Sequence, residues 1–346
     1  MRLRDSLPAI AQILIASVAA YLLAQLLLQQ SAPIIAAIIP ISSLGFVGDA
    51  RPLRVLETAI AMTLGIVLAE TLLLVFGASV WNFALALALT LALARFVSAK
   101  AAFAISAAVQ CSLVMLSPMP PGGQFIRTAD ALIGGLVAIL ATGLIPRNPW
   151  GNSVRIGRRL LDRHTQVLVR LAAALRVADA AKASDTLELS RRSSSIADDW
   201  RDAVDSGRAI ARVSPWFWSR QHEFERLHTM VAPMDLATRS LRIIARRADY
   251  LASLGQPEPA LAEVLEQIAI AMAQVSESIA DAELRGVARA ELIDIARHLQ
   301  ADELLGSDAS AHEGNVIWAA RSYVIDALTA TGLTVEQARA ELAPTS

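Results

Sequence analysis

The stretch LRVLETAIAMTLGIVLAETLLLVF, Leu53 to Phe76, decides the fold. It is long enough to cross a bilayer as one helix, since about 20 apolar residues rising 1.5 Å each cover the hydrocarbon core. Its interior carries one charge, Glu70. Five further apolar runs accompany it: Leu7–Leu28, Ala32–Val47, Val80–Leu93, Ala101–Leu116 and Thr128–Ile145. The second, fourth and fifth runs are short. Pro40 with Ser42 and Ser43 makes the second the best candidate for a broken helix, whose freed backbone groups must face protein or a wet cavity. The first run follows Met1-Arg-Leu-Arg-Asp5 and exceeds a signal-peptide core, so it reads as an uncleaved span.

Outward from these runs the composition changes. The chain has 346 residues, 55% hydrophobic and 18% charged, with a mean hydropathy of +0.47. Between Asp5 and Arg51 the only charge is Asp49, whereas residues 151–346 carry charge every few positions. Two domains in two solvents follow: residues 1–150 as a six-helix membrane domain and residues 151–346 as a cytoplasmic helical domain. The net charge of −1 sums over both and identifies no partner; no nucleic-acid partner is read from it.

Basic residues sort the loops. Arg2 and Arg4, Arg51 and Arg54, Arg95 and Lys100, and Arg147 with Arg155, Arg158 and Arg159 fall on one side. The alternate loops hold only Arg127. This is the positive-inside pattern, and it predicts a multi-pass protein of the cytoplasmic membrane with both termini in the cytoplasm. Span three opens Arg54-Val-Leu-Glu57 and reaches Gly65. Span six opens Arg127-Thr-Ala-Asp130 and reaches Gly134-Gly135. Three spans per half would put the two motifs on opposite membrane faces, as an inverted 3+3 repeat requires. Coincidence is the competing account, because charges collect at span ends.

Beyond Ile145, the cluster Pro146-Arg-Asn-Pro149-Trp-Gly151 ends the last span. The remainder reads as five to seven helices with no strand pattern. Two amphipathic seams stand out: Phe224, Leu227, Val231, Met234, Leu241, Ala245 and Ala248, then Leu261, Val264, Ile268, Met272, Val275 and Ile279. Ser214-Pro215 reads as a helix start, and Gly255-Gln-Pro257 as a stop. Trp216-Phe-Trp218 could dock onto the membrane or fill a helix junction, and core packing at a helix start is the favoured reading.

Few residues suit chemistry. Glu70 sits deep in span three, where a carboxyl is expensive and usually faces the bundle interior. It reads as a proton-coupling or gating carboxylate, or as half of a structural pair with Arg127. Arg127 and Asp130 are i, i+3 and can pair with each other. Arg127 could attract an organic anion or act as an interfacial anchor. Arg54 and Glu57 repeat this arrangement at the opposite end. Gln110 in span five reads as helix glue or a ligand contact, and Ala131-x-x-x-Gly135 as a close-packing face. The single cysteine, Cys111, builds no disulfide or metal site, and the five histidines, His164, His222, His228, His298 and His312, show no ligand spacing. Nucleotide and nucleophile motifs do not appear. No enzyme activity, cofactor or metal is read.

The ordered set Ala32-Pro33, Arg54-Val-Leu-Glu57, Gly65, Ala69-Glu70-Thr-Leu, Gln110, Arg127-Thr-Ala-Asp130-Ala-Leu-Ile-Gly134-Gly135 and Leu144-Ile-Pro-Arg147-Asn-Pro149 resembles the fusaric acid resistance family, also called aromatic acid exporters. The resemblance covers residues 7–150. It implies export of aromatic or other organic carboxylic acids, driven by protons. Related plant proteins are anion channels with six spans per subunit. Longer members carry the membrane-plus-soluble unit twice, so one unit implies a homodimer. The family's glycine-rich start of span three appears here as Ala59-Ile-Ala-Met-Thr-Leu64. A passive organic-anion channel, or a membrane scaffold or sensor with a partner-binding bundle, are the alternatives.

Overall fold

A computed structural model describes residues 2–30, 32–45, 52–118, 123, 125–144, 148–306 and 310–343. It is all-helical among these residues and divides into two compact units, Met1–Arg147 with Ala209–Ser219, and Asn148–Arg208 with Arg220–Ser346.

The first unit holds α1 (Arg2–Leu28), α2 (Ile34–Leu44), α3 (Pro52–Phe76), α4 (Val80–Val97), α5 (Ala101–Leu116) and α6 (Ile126–Leu144). Four helices are long and apolar enough to cross a membrane: Ala9–Leu28 of α1, Leu53–Phe76 of α3, and α4 and α6. The six-span expectation thus divides. Helices α2 and α5 are shorter, with 11 and 16 residues, or about 16 and 24 Å of axial rise against a hydrocarbon core of about 30 Å. The expected second run extends to Val47, and residues 46–51 lie outside those described.

The expected break at Pro40 does not occur: α2 is continuous through it. Proline supplies no N–H to the carbonyl four residues back, which is that of Ala36. This carbonyl faces α6, where a Cβ on Gly134 would lie 2.7 Å from its oxygen. Only a glycine lets the helices meet there. Ser43 donates its hydroxyl to the Ile39 carbonyl at 2.6 Å.

Helix α3 packs on α5 and α6, α2 on α6 and α1, and α4 on α5. Helix α6 shows why. Ala131, Gly134, Gly135, Ala138 and Ala141 are buried, while Leu132, Leu136, Leu140 and Leu144 form an exposed stripe. Small side chains inside and large apolar ones outside let backbones approach where lipid, not water, is the solvent. Gln12 of α1 adds a buried amide bond to the Ala141 carbonyl at 2.9 Å.

The second unit contains α7 (Pro149–Arg176), α8 (Ala180–Arg191), α9 (Ser193–Val213) as far as Arg208, α10 (Gln221–Ser253), α11 (Pro259–Ala280), α12 (Arg285–His298), α13 (Ala301–Leu305), α14 (Ala311–Ala330) and α15 (Val335–Ala340). That is nine α-helices among the described residues against five to seven expected; α13 and α15 have only 5 and 6 residues. Asn148 starts α7, its side-chain oxygen accepting from the Gly151 N–H at 3.0 Å, with Pro149 at the first helical position. Gly255, at φ +76°, follows the end of α10 as a left-handed C-terminal glycine. Both apolar seams are buried, α10 against α14 and α11 against α7.

One polar network lies inside this core. His164 is fully buried between Tyr323 Oη at 3.0 Å from Nδ1 and Thr238 Oγ1 at 3.0 Å from Nε2. Thr238 donates its single hydroxyl proton to the Met234 carbonyl at 2.7 Å. It must therefore accept from His164, which carries its proton on Nε2, and Nδ1 accepts from the tyrosine hydroxyl. Burial holds the imidazole well below its usual value, at about 3, so the ring is neutral.

The aromatic triplet departs from expectation. Pro215 opens a 3-10 helix, Pro215–Arg220, before α10 begins. Trp216 and Trp218 are 71% and 59% exposed, so neither fills a core.

Candidate functional site

Among the described residues, helix α6 begins without a local cap. Phe125 precedes it in the left-handed region, at φ +63°, and a phenylalanine has no acceptor for the orphan N–H groups of the first turn. The acceptor comes instead from α3. Glu70 Oε1 accepts from the Arg127 N–H at 3.3 Å, and Oε2 accepts from the Thr128 N–H at 3.2 Å and the Thr128 hydroxyl at 2.6 Å. A carboxylate at a helix N-terminus is the favourable sign against the helix dipole. Glu70 is 9% exposed, so in an apolar zone these bonds are what permit its burial.

Arg127 serves the opposite end of a different helix. Its Nη1 donates to the Val114 carbonyl at 2.8 Å, and Nη2 donates to the carbonyls of Ser117, at 3.4 Å, and Pro118. These carbonyls close the C-terminus of α5, where a cation is the favourable sign. Asp130, one turn into α6, accepts from Gln30 Nε2 at 2.9 Å and so ties down the segment between α1 and α2. Three charged side chains thus hold the ends of α5 and α6 and the α1–α2 connection at one end of the unit.

Beside them opens a cavity of about 240 Å³ lined by Glu70, Leu73, Met115, Ser117, Phe125 and Arg127, among others. Its wall is mostly apolar with one carboxylate and one guanidinium. Phe125 lines it in a backbone conformation that a bulky residue adopts only when its surroundings enforce it, and such strain tends to gather at working sites.

The structure therefore brings Glu70, Arg127 and Asp130 to one end, but not as expected pairs. The described bonds of Arg127 go to carbonyls and those of Asp130 to Gln30, so the anticipated i, i+3 pair between them is replaced by bonds to other elements. Gln110 is buried on α5 with no partner for Oε1 among the described residues, and it does not line this cavity. Arg54 and Glu57 lie near the other end of α3. Arg54 is exposed, and Glu57 pairs with Lys100, whose Nζ donates at 2.8 and 2.5 Å. Sequence reasoning missed Gln30 and Thr128. The missing cap before α6 was the available signal for Thr128; Gln30 sits in a short connection whose neighbours only packing reveals.

Residues 15–141 match the family described as fusaric acid resistance protein-like. An uncharacterized protein of Corynebacterium glutamicum is 28% identical, in an alignment covering 100% of this chain and 90% of the relative. That similarity runs through both units, not only the membrane helices. The matched segment contains α2 to α5 whole, with about half of α1 and most of α6, and it includes Glu70, Arg127 and Asp130. The apolar helices and this match agree on a multi-pass membrane protein, whose residues 15–141 are similar to the fusaric acid resistance protein-like family.

Proposed function

We propose that this chain is a secondary transporter that exports aromatic or other organic carboxylic acids across the cytoplasmic membrane, coupled to protons. The observation that carries the reading is the buried carboxylate of Glu70 in the lining of a largely apolar cavity, where it also caps α6. A proton placed on this carboxylate turns an acceptor into a donor. Protonated Glu70 loses the negative charge that strengthens its bonds to the Arg127 and Thr128 N–H groups and the Thr128 hydroxyl, so the start of α6 loosens. Proton uptake is thereby linked to movement in the cavity wall. Charge-assisted bonds of this kind contribute about 1.5–3 kcal/mol each, enough to bias a two-state helix position. An organic acid would place its ring against Leu73, Met115 and Phe125 and its carboxylate toward Arg127.

Six spans, with α2 and α5 shielded by their longer neighbours, and two cytoplasmic termini complete this reading. So does an inverted repeat of α1–α3 and α4–α6. Its support is the packing: α3 meets α5 as α6 meets α2, α1 meets α2 as α4 meets α5, and α3 meets α6. The close approaches correspond as well, Gly65 on Ala107 and Gly134 on Ala36. Transport sites commonly lie at such repeat interfaces. A homodimer, with residues 151–346 as its cytoplasmic part, fits a single membrane-plus-helical unit.

The test is Glu70→Gln in proteoliposomes with an imposed pH gradient. Export driven by that gradient should be abolished while the variant stays folded and at normal abundance in the membrane. Thr128→Val removes one hydroxyl bond but leaves the carboxylate, and should keep coupled export. A Gln variant that exports at the unmutated rate removes Glu70 from the coupling step. Steady single-channel current in a planar bilayer without a pH gradient would assign the chain to passive channels instead.

A further inference from the structure

Segment Ala209–Ser219 belongs to the same compact unit as the membrane helices, although 61 residues lie between it and Arg147 in sequence. Its attachment is specific. Ser214 is fully buried, its hydroxyl donates to the Gly143 carbonyl in the last turn of α6 at 2.6 Å, and its N–H donates to the Ile210 carbonyl at 2.9 Å. Pro215 then opens the 3-10 helix, in which the Phe217 N–H donates to the Ser214 carbonyl at 3.1 Å. This pinned turn carries Trp216 and Trp218 outward, 71% and 59% exposed.

Two large indoles held facing outward on an anchored turn are a poor match to water. They match the lipid–water boundary, where an indole ring sits among headgroups with its N–H still hydrated. The level also fits. The anchor is the C-terminal end of α6. In an alternating bundle α4 ends on the same side, and there Phe96 is 88% exposed next to Arg95.

We propose that Trp216 and Trp218 insert into the lipid–water interface at the end of the bundle where α6 terminates, so that this mid-chain turn is a second membrane attachment separate from the spans. The chain then returns to the bilayer surface once after leaving it.

The experiment uses the full chain in lipid nanodiscs. Cys111 is wholly buried, so Trp216→Cys and Trp218→Cys can each carry an environment-sensitive fluorophore, with the unmutated protein as the labelling control. Trp318→Cys is the comparator, replacing a tryptophan 53% exposed on α14. Labels at 216 and 218 should be quenched by lipids bearing a nitroxide just below the headgroup. They should be quenched several-fold less by aqueous iodide than the label at 318. Iodide quenching equal to that at 318 overturns the proposal. Protection from both quenchers also overturns it, because a protein surface then covers the indoles. If the cysteine variants do not fold, Trp216→Phe and Trp218→Phe supply the second measurement. The share of intrinsic fluorescence quenched by brominated lipid should fall in both, and an unchanged share refutes the inference.

Discussion

Replacing Gly65 by alanine tests the packing on which the site rests. A Cβ at Gly65 would lie 2.8 Å from the carbonyl carbon of Ala107 and 3.1 Å from its Cα, with the carbonyl oxygen closer still. Carbon atoms prefer about 3.5–4.0 Å, so α3 and α5 must separate by roughly 1 Å, and the obstacle is backbone that cannot rotate away. At Gly134 the clash is with the Ala36 oxygen at 2.7 Å, against a usual carbon–oxygen approach of about 3.3 Å. At Gly135 it is only with the Ala59 methyl at 3.3 Å. Alanine gains about 1 kcal/mol of helix propensity at each position, while forced overpacking costs about 1–3 kcal/mol and occasionally more. The net effect should be near zero at Gly135, clearly destabilising at Gly134 and largest at Gly65. For Gly65→Ala a loss of about 2–3 kcal/mol corresponds to a fall in apparent Tm of roughly 5–10 °C. Thermal unfolding of the purified full chain in one detergent, followed by a thiol-independent fluorescence probe, reads the series. If Gly65→Ala melts no lower than Gly135→Ala, the close approach of α3 and α5 is wrong.

Other outcomes follow from the second unit. Tyr323→Phe leaves the buried Nδ1 of His164 without its donor and should destabilise by about 1–3 kcal/mol in chemical unfolding; an unchanged midpoint would contradict the derived Nε2–H tautomer. Because the folded-state value of His164 is depressed to about 3 from 6.5, its contribution to stability is present above 6.5 and is lost as pH falls from there toward 3. His164→Phe should remove that acid sensitivity. Asp326 is raised to about 6 by burial, with the Ser240 hydroxyl bond at 3.2 Å acting the other way. Its contribution is full below 3.8 and lost as pH rises through 6, so Asp326→Asn should stabilise most above pH 6 and the gain should vanish near pH 4. A gain that grows on acidification would reverse the sign of this argument.

Much of this architecture could be read along the chain. Helices α1 and α3 to α6 overlap the apolar runs closely, because helical hydrogen bonds are local and a long apolar stretch has few other ways to satisfy its backbone in lipid. The seams at Phe224–Ala248 and Leu261–Ile279 were visible as spacing, and both are buried. Glu70 stood out by the cost of its position. Pro40 misled: a missing N–H predicts a break only if the orphan carbonyl has no tolerable neighbour, and Gly134 provides one. Trp216 and Trp218 misled as well, since aromatic bulk alone does not distinguish a core from an interface.

The sequence by itself determined roughly where the apolar helices lie, which stretches are apolar enough for lipid, and which polar residues are too expensive to be accidental. Tertiary structure alone decided what those residues touch. Glu70 caps a helix that begins 56 residues later, Arg127 closes α5, Asp130 holds Gln30, and Glu57 pairs with Lys100. The physical reason is range. Backbone bonds join residues four apart and leave a periodic trace, whereas orphan groups at helix ends accept any partner of the right sign that packing brings near. That choice is made by Gly65 and Gly134, which set how closely the helices meet.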